Sequence, residues 1–426
     1  MGNMDNGKDA QGSMVAALEV FHHTEGDASW SEQWHASPAT LPEVAWDSLV
    51  AGQEGGSPFL RCAFLSALHD SGSACPETGW SPQFLTLHDQ TGALRAACPL
   101  YAKTHSYGEY VFDWAWADAH DRALRSAGLR YYPKLLSAVP FTPVAGPRLC
   151  SDQQLPPEAR SRWRTRLLQA IEARVAAQGW SSAHVLFPPA QEAVESAPRG
   201  WLLREGVQFH WHNRSTGPYQ DFDDFLNALH RDKRKKIRQE RRKVAEAGVV
   251  FKVKEGAQIT ATDWAFFYRC YAQTYQERGQ HPYLTPAFWE TAGSALTDHW
   301  VLFVAERAQQ PIACALLAVD RSHRRAYGRY WGAVDNVSCL HFEACYYQPI
   351  EWCIAQGFLD FEGGAQGEHK LARGLEAVPT RSLHWIAQPD FRDAVADFLQ
   401  RERHHVHSYI DELDDRRPFK YLDDVN

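Results

Sequence analysis

Apolar residues recur along this chain in two alternating rhythms. Stripes at three- and four-residue spacing predict helices over residues 57–69, where Phe59, Phe64, Leu65 and Leu68 share a face, and over 160–178, where Trp163, Leu167, Leu168, Ile171 and Val175 do so. Short apolar or alternating runs predict strands at 16–21, 83–87, 93–102, 140–149 and 183–187. Asp89-Gln90-Thr91-Gly92 joins the second and third of these as a hairpin turn, its glycine suited to a tight reversal. The aromatic run 107–116 reads as a further strand, and 129–139 as a short helix with Pro133 near its start.

The order then repeats. A helix at 263–275, strands at 301–305 and 312–319, an aromatic strand at 325–333, a helix at 341–356 and a strand at 358–362 answer the first set. Tyr327-Gly328-Arg329-Tyr330-Trp331 parallels Tyr107-Gly108-Glu109-Tyr110-Val111. Helix, hairpin, aromatic strand, helix and strand, twice over, predict a duplicated α/β protein with layered helices. Between the halves, 222–248 reads as one long helix, with Asp221 or Asp223 as N-cap and Gly248 just past its end. Phe222, Leu226, Leu229, Ile237 and Val244 give it an apolar stripe, while 230–243 hold nine Lys/Arg against Asp232 and Glu240. The expected division is a disordered tail at 1–14, a first domain at 15–215 and a second at 216–426, opening with the basic helix.

Composition narrows the functional classes. With 44 % hydrophobic and 23 % charged residues the chain is a globular protein with sizeable cores. No apolar run reaches the ~18 residues of a membrane helix, and the N-terminal segment lacks the basic and apolar parts of an export signal, so a cytoplasmic location without a membrane span is expected. Nine cysteines with no Cys-x-x-Cys pair read as small core residues in a reducing compartment. Because the net charge is −8, affinity for a polyanion must come from a local patch, and DNA is not an expected partner. The basic helix is that patch: either a solvated charged face, or a phosphate contact through Arg234, Lys235, Arg238 and Arg241. Walker loop, nucleophile elbow and His-Glu-x-x-His or Pro-Cys-x-x-Cys metal motifs are absent, so no metal is expected.

Candidate chemistry concentrates at 361–374, where four glycines stand among Glu362, Glu368, His369, Lys370 and Arg373, directly after an apolar run. A turn-rich segment leaving a strand can hold such side chains around one cleft.

Residues 106–116, 130–134, 234–238, 327–333, 341–343 and 364–374 resemble the Fem-type branch of the GNAT N-acyltransferase superfamily, in its group of peptidoglycan biosynthesis/recognition proteins. The resemblance covers nearly the whole chain beyond the tail. It implies tandem duplicated GNAT-like domains with mixed, largely antiparallel sheets, and transfer of an acyl or aminoacyl group to an amine of a peptide or peptidoglycan-type acceptor. The implied donor is coenzyme A thioester or aminoacyl-tRNA, with no tightly bound cofactor. His369-Lys370-Leu371-Ala372-Arg373-Gly374 keeps the family's Lys-to-Gly interval with both flanking phenylalanines replaced, which makes Lys370 the expected catalytic cation. Acyl transfer to an amine also needs a proton acceptor, for which Glu343 and Glu368 are the candidates. Tyr330, Trp331, His341, Glu362, Gln366, His369 and Arg373 are expected to bind substrate. The pyrophosphate loop of coenzyme-A-dependent relatives has no glycine-bearing counterpart at 335–340, and only a partial one at 125–130. The competing expectation is a non-catalytic module that kept the fold and binds a polyanion or a peptidoglycan precursor.

Overall fold

The computed structural model describes residues 18–26, 28–196, 199–214, 217–364 and 367–420; the tail at 1–14 and Gln366 lie outside them. The first half runs β1 (Leu18–Glu25), β2 (Ala28–His35), α1 (Glu43–Ala51), α2 (Cys62–Asp70), β3 (Trp80–Pro82), β4 (Phe84–Asp89), β5 (Leu94–Cys98), β6 (Tyr101–Lys103), α3 (Trp114–Leu124), β7 (Lys134–Ser137), β8 (Cys150–Ser151), α4 (Pro157–Gln178), β9 (Ser182–Leu186), α5 (Ala190–Ser196) and β10 (Leu202–His212). The second runs α6 (Phe222–Ala228), α7 (Arg231–Glu246), β11 (Val249–Glu255), α8 (Ala261–Gln276), α9 (Pro286–Ala295), β12 (Trp300–Arg307), β13 (Gln310–Asp320) and β14 (Arg325–Ala333). It continues through α10 (Leu340–Phe342), a π-helical turn (Glu343–Tyr347), α11 (Gln348–Ala355), β15 (Asp360–Glu362), β16 (Glu376–Ile386) and α12 (Pro389–Asp415).

The halves share one pairing plan. In the second, β11, β12, β13 and β14 pair antiparallel in turn, and β14 then pairs β15 in parallel. In the first, β2, β4 and β5 pair antiparallel, β6 pairs β7, and β7 pairs β9 in parallel. Pro99 and Leu100 interrupt what is one long strand in the second half, so β5 and β6 fall into different sheets. Each half's last strand crosses over: β10 pairs β15 of the second half, β16 pairs β9 of the first, and β10 and β16 pair with each other from Leu202↔His384 to His210↔Glu376. The result is an 11-stranded sheet through both halves and a separate 5-stranded sheet, mixed and largely antiparallel.

Several local expectations are corrected. Residues 107–113 form a loop rather than a strand, because Gly108 and Tyr110 take positive φ, and 114–124 are helix α3. Tyr107 to Val111 is therefore no counterpart of Tyr327 to Trp331, and β14 is answered by β7. Residues 134–137 pair with β6 and β9 instead of continuing a helix. No ladder forms over 140–149, where Pro140, Pro143 and Pro147 have no N–H to donate. The basic helix is broken: Leu229 and His230 are extended, Leu229 bridges Phe419, and the His230 N–H is taken by the Pro418 carbonyl. That hydrogen bonding comes from the far end of the chain, which helical periodicity could not reveal.

One apolar cluster spans the halves, joining Phe59, Phe64 and Phe141 to Phe267, Tyr271, Trp289 and Tyr327. Within it α8 lies against β14 so closely that a methyl group on Gly332 would overlap the Cys270 carbonyl. Overpacking against backbone leaves no soft neighbour to yield, so Gly332→Ala should lower stability by about 2–3 kcal/mol in chemical denaturation. An unchanged midpoint would mean that α8 slides off β14 without cost.

Candidate active site

The glycine-rich segment leaves β15 and turns into a short 3-10 helix, Glu368–Arg373. Lys370, only 3 % exposed, points back and donates from Nζ to the Gly364 carbonyl at 2.7 Å. Burial pulls its ammonium down to about 8, against a weak opposing effect of Cys345. Two residues before Gly364 stands Glu362, 6 % exposed, paired across β15 with Tyr327 and across β10 with His210. No described side chain donates a hydrogen bond to Glu362, and the nearest ring nitrogen, His210 Nε2, is 4.0 Å away. Burial pushes this carboxyl up to about 8, with Arg325 and Arg329 pulling it back and Asp360 adding to the rise. His210, held near 3 mainly by burial, is neutral and contacts the Gln208 amide oxygen at 3.2 Å.

Other expected residues lie around Lys370. His341, brought down to about 4 by burial and by His369, Arg373 and Lys370, lies edge-on to Trp331 at 5.3 Å. His369 is exposed and meets the Tyr346 hydroxyl at 3.0 Å.

Three expected residues are engaged elsewhere. Arg373 is buried in a structural clamp: it donates to Glu240 of α7 and to the His369 carbonyl, and its guanidinium covers the Phe342 ring. Glu368 accepts from Tyr409 and Arg416 on the exposed α12 side. Glu343 opens the π-helical turn and faces α7, its Oε1 accepting from Arg241 at 3.1 Å and Gln348 at 2.8 Å. The same geometry divides the basic helix. Arg241 bridges Glu343 and Glu351, and Arg238 pairs with Asp223, whereas Arg234 and Lys235 have no carboxylate partner among the described residues.

An aromatic cleft of about 560 Å³ opens between the halves. Tyr330, Trp331 and Arg329 reach it from β14; Tyr271, Tyr275 and Arg278 from α8 and its end; Tyr283 from the connection to α9. Its opposite wall is the 107–113 loop with Trp114, carrying Tyr107, Tyr110 and Phe112. Trp331 links cleft and His341, and Arg329 links cleft and Glu362. Sequence reading missed the α8 contribution, although Tyr271 and Tyr275 at helical spacing were its visible signal.

A buried ionic cluster fixes that loop from behind. Lys134 Nζ donates to Glu109 at 2.8 Å, Asp113 at 2.5 Å and Ser106 at 2.8 Å, all three acceptors lying within or just before the loop. Asp113 also accepts from the Tyr131 hydroxyl, and Lys103 sits 3.7 Å over the Trp80 ring while reaching for the Tyr107 carbonyl at 3.4 Å. Gly108 permits the closure, since a Cβ there would come within 2.6 Å of the Phe141 ring.

The family model FemAB-like, described as peptidoglycan biosynthesis/recognition, matches residues 37–421. No curated protein matches significantly. Among solved structures, the C-terminal domain of a putative lysylphosphatidylglycerol synthetase from Agrobacterium fabrum aligns at 11 % identity with a TM-score of 0.50, over 85 % of this chain and 96 % of its own. L-PGS from Bacillus licheniformis aligns at 10 % identity and 0.50, over 84 % and 97 %. A tandem GNAT protein from the clavulanic acid biosynthesis pathway aligns at 11 % identity and 0.41, over 87 % and 98 %.

Removing Lys134 would leave two carboxylates buried without their cation, a loss of about 3–5 kcal/mol. Lys134→Met should therefore speed amide exchange across 105–113 far more than across β14. Uniform protection in the two segments would show that the loop does not depend on this cluster.

Proposed function

Because the chain belongs to the FemAB-like family of peptidoglycan biosynthesis/recognition, we propose that it is an N-acyltransferase. It moves an acyl or aminoacyl group from an activated donor, an acyl thioester such as acyl-coenzyme A or an aminoacyl-tRNA, to an amine of a peptide or peptidoglycan-type acceptor. What supports this most is one segment: Glu362, a buried carboxyl without a hydrogen-bond donor among the described side chains, ends the strand that pairs parallel to β14, and Lys370, a buried lysine, follows in the glycine-rich turn that leaves it.

An acceptor amine arrives as an ammonium and must lose a proton before its lone pair adds to the donor carbonyl. Glu362, held near 8, is matched to take that proton near neutral pH. It replaces Glu343 and Glu368 in this role, since both are engaged in other contacts. As the N–C bond forms, the carbonyl oxygen gains charge, and the Lys370 ammonium with neighbouring backbone N–H groups stabilises it. Glu362 passes its first proton to solvent and takes the second from the now positively charged nitrogen; collapse breaks the C–S or C–O bond, and the leaving thiolate or ribose oxygen picks up that second proton from Glu362. Arg234 and Lys235 are the cations available to donor phosphates.

Glu362→Gln should lower kcat/KM by roughly 10²–10⁴-fold and erase the rise in rate near pH 8. It should also stabilise the protein at alkaline pH. Because the folded-state value is raised above the ordinary one of 4.5, Glu362 carries no penalty below about 4.5, and stability is lost as pH climbs to about 8. Unfolding midpoints at pH 5 and 8.5, measured beside turnover, test both effects; full turnover in the variant would remove Glu362 from the chemistry. If the wild type binds ligands yet transfers nothing from coenzyme A or tRNA donors, a binding module takes the place of the enzyme.

On the basic helix, replacing Arg234 and Lys235 by Gln should weaken tRNA or coenzyme A binding and reduce its salt slope by roughly one to two, with stability unchanged. Arg241→Gln should instead cost about 2 kcal/mol of stability through Glu343 and Glu351. Unchanged affinities in the first variant would mark a solvated face.

A further inference from the structure

The aromatic cleft has a chemical bias that neither the fold nor the acyl-transfer reading requires. Among the described residues, nine of its fourteen lining residues are aromatic, and the only charged ones are Arg278 and Arg329. Aromatic faces attract cations, yet two guanidiniums with no lining carboxylate make the cleft hostile to an ammonium group. Arg278 is exposed at the end of α8 and has no ion-pair partner among the described residues. Arg329 donates one Nη2 hydrogen bond, to the Phe141 carbonyl at 2.8 Å, and its buried Nε has no partner. The hydroxyls of Tyr110, Tyr283 and Tyr330 likewise meet no hydrogen-bond partner among the described residues. On the rim, Tyr107 and Trp114 are 58 % and 44 % exposed although the loop that carries them is anchored by buried ion pairs. Large rings held rigidly at a cleft mouth offer stacking area at little entropic cost.

We propose that this cleft binds a ring-bearing anion, its ring stacked among the tyrosines and its carboxylate or phosphate held by Arg278 and Arg329. Both guanidiniums present the paired N–H geometry that either anion accepts. The inference rests on the acyl-transfer reading only in placing this anion on a substrate whose reacting end lies toward Glu362; the cleft then selects by charge and Glu362 takes the proton. Arg278 is the specificity-determining residue.

Binding can be measured without turnover, so the two readings fail separately. The probe is 8-anilinonaphthalene-1-sulfonate, with uncharged N-phenyl-1-naphthylamine as its counterpart of the same ring system, titrated against the full chain. Arg278→Gln should weaken the sulfonate roughly tenfold, the scale of one charge-assisted contact, and leave the uncharged probe unaffected. Trp114→Ala should weaken both. Phenyl phosphate or benzoate should displace the sulfonate probe and benzamide should not, and the stronger competitor identifies the anion. Equal competition by benzamide, no displacement by any of the three, or an unchanged sulfonate affinity in Arg278→Gln overturns the proposal. Loss of turnover in Glu362→Gln alongside such a failure would leave acyl transfer standing with a different ligand in the cleft.

Discussion

Neither half of this protein can satisfy its own backbone. In each, a parallel pair, β7 with β9 or β14 with β15, leaves the second strand with an open edge, and the ladder that fills it comes from the other half. The two exchanged strands then pair with each other over nine residues. Buried amides and carbonyls do not go unpaired cheaply, so this exchange fixes how the halves sit. It also brings the 107–113 loop of one against α8 and β14 of the other, and the aromatic cleft is the space between them.

Some buried ionisable groups are paired with an opposite charge and others are not. Lys134 with Glu109 and Asp113, and Arg373 with Glu240, are ion pairs closed on themselves. Such pairs contribute little net stability but resist being broken, so they fix a loop wall and tie α7 to the turn after β15. Glu362 and Lys370 are buried without an opposite charge in contact, and both are driven toward their neutral forms. A group kept near the pH of the solvent can exchange a proton, which a closed pair cannot do.

The alignment with the lysylphosphatidylglycerol synthetase domains extends over most of both chains at about a tenth identity, so what is shared is the fold. This chain's own character lies in what surrounds the strands: the tyrosines of α8, the unpaired Arg278 and the glycine-rich turn after β15.

Local patterns were readable wherever neighbours in sequence decide the outcome. The stripe of α4, the β12–β13 hairpin, the basic character of α7 and the crowding of ionisable residues after β15 all follow from periodicity and turn chemistry. Candidate residues were legible as a list, not as an arrangement: Tyr330 and Trp331 line the cleft, Glu362 and Lys370 are buried after β14, and Glu343, Glu368 and Arg373 are engaged in hydrogen bonds and ion pairs, because identical residue types differ only in what packs against them. The loop at 107–113 had the composition of a strand and was bent by Lys134 meeting two carboxylates. The basic helix had an unbroken stripe and was interrupted where the His230 N–H donates to the Pro418 carbonyl. The sequence by itself determined which segments are apolar, which are charged and in what order helices and strands succeed one another. Tertiary structure alone decided the strand exchange, the cleft and which buried charges are paired, because burial and pairing depend on contacts between residues far apart in the chain.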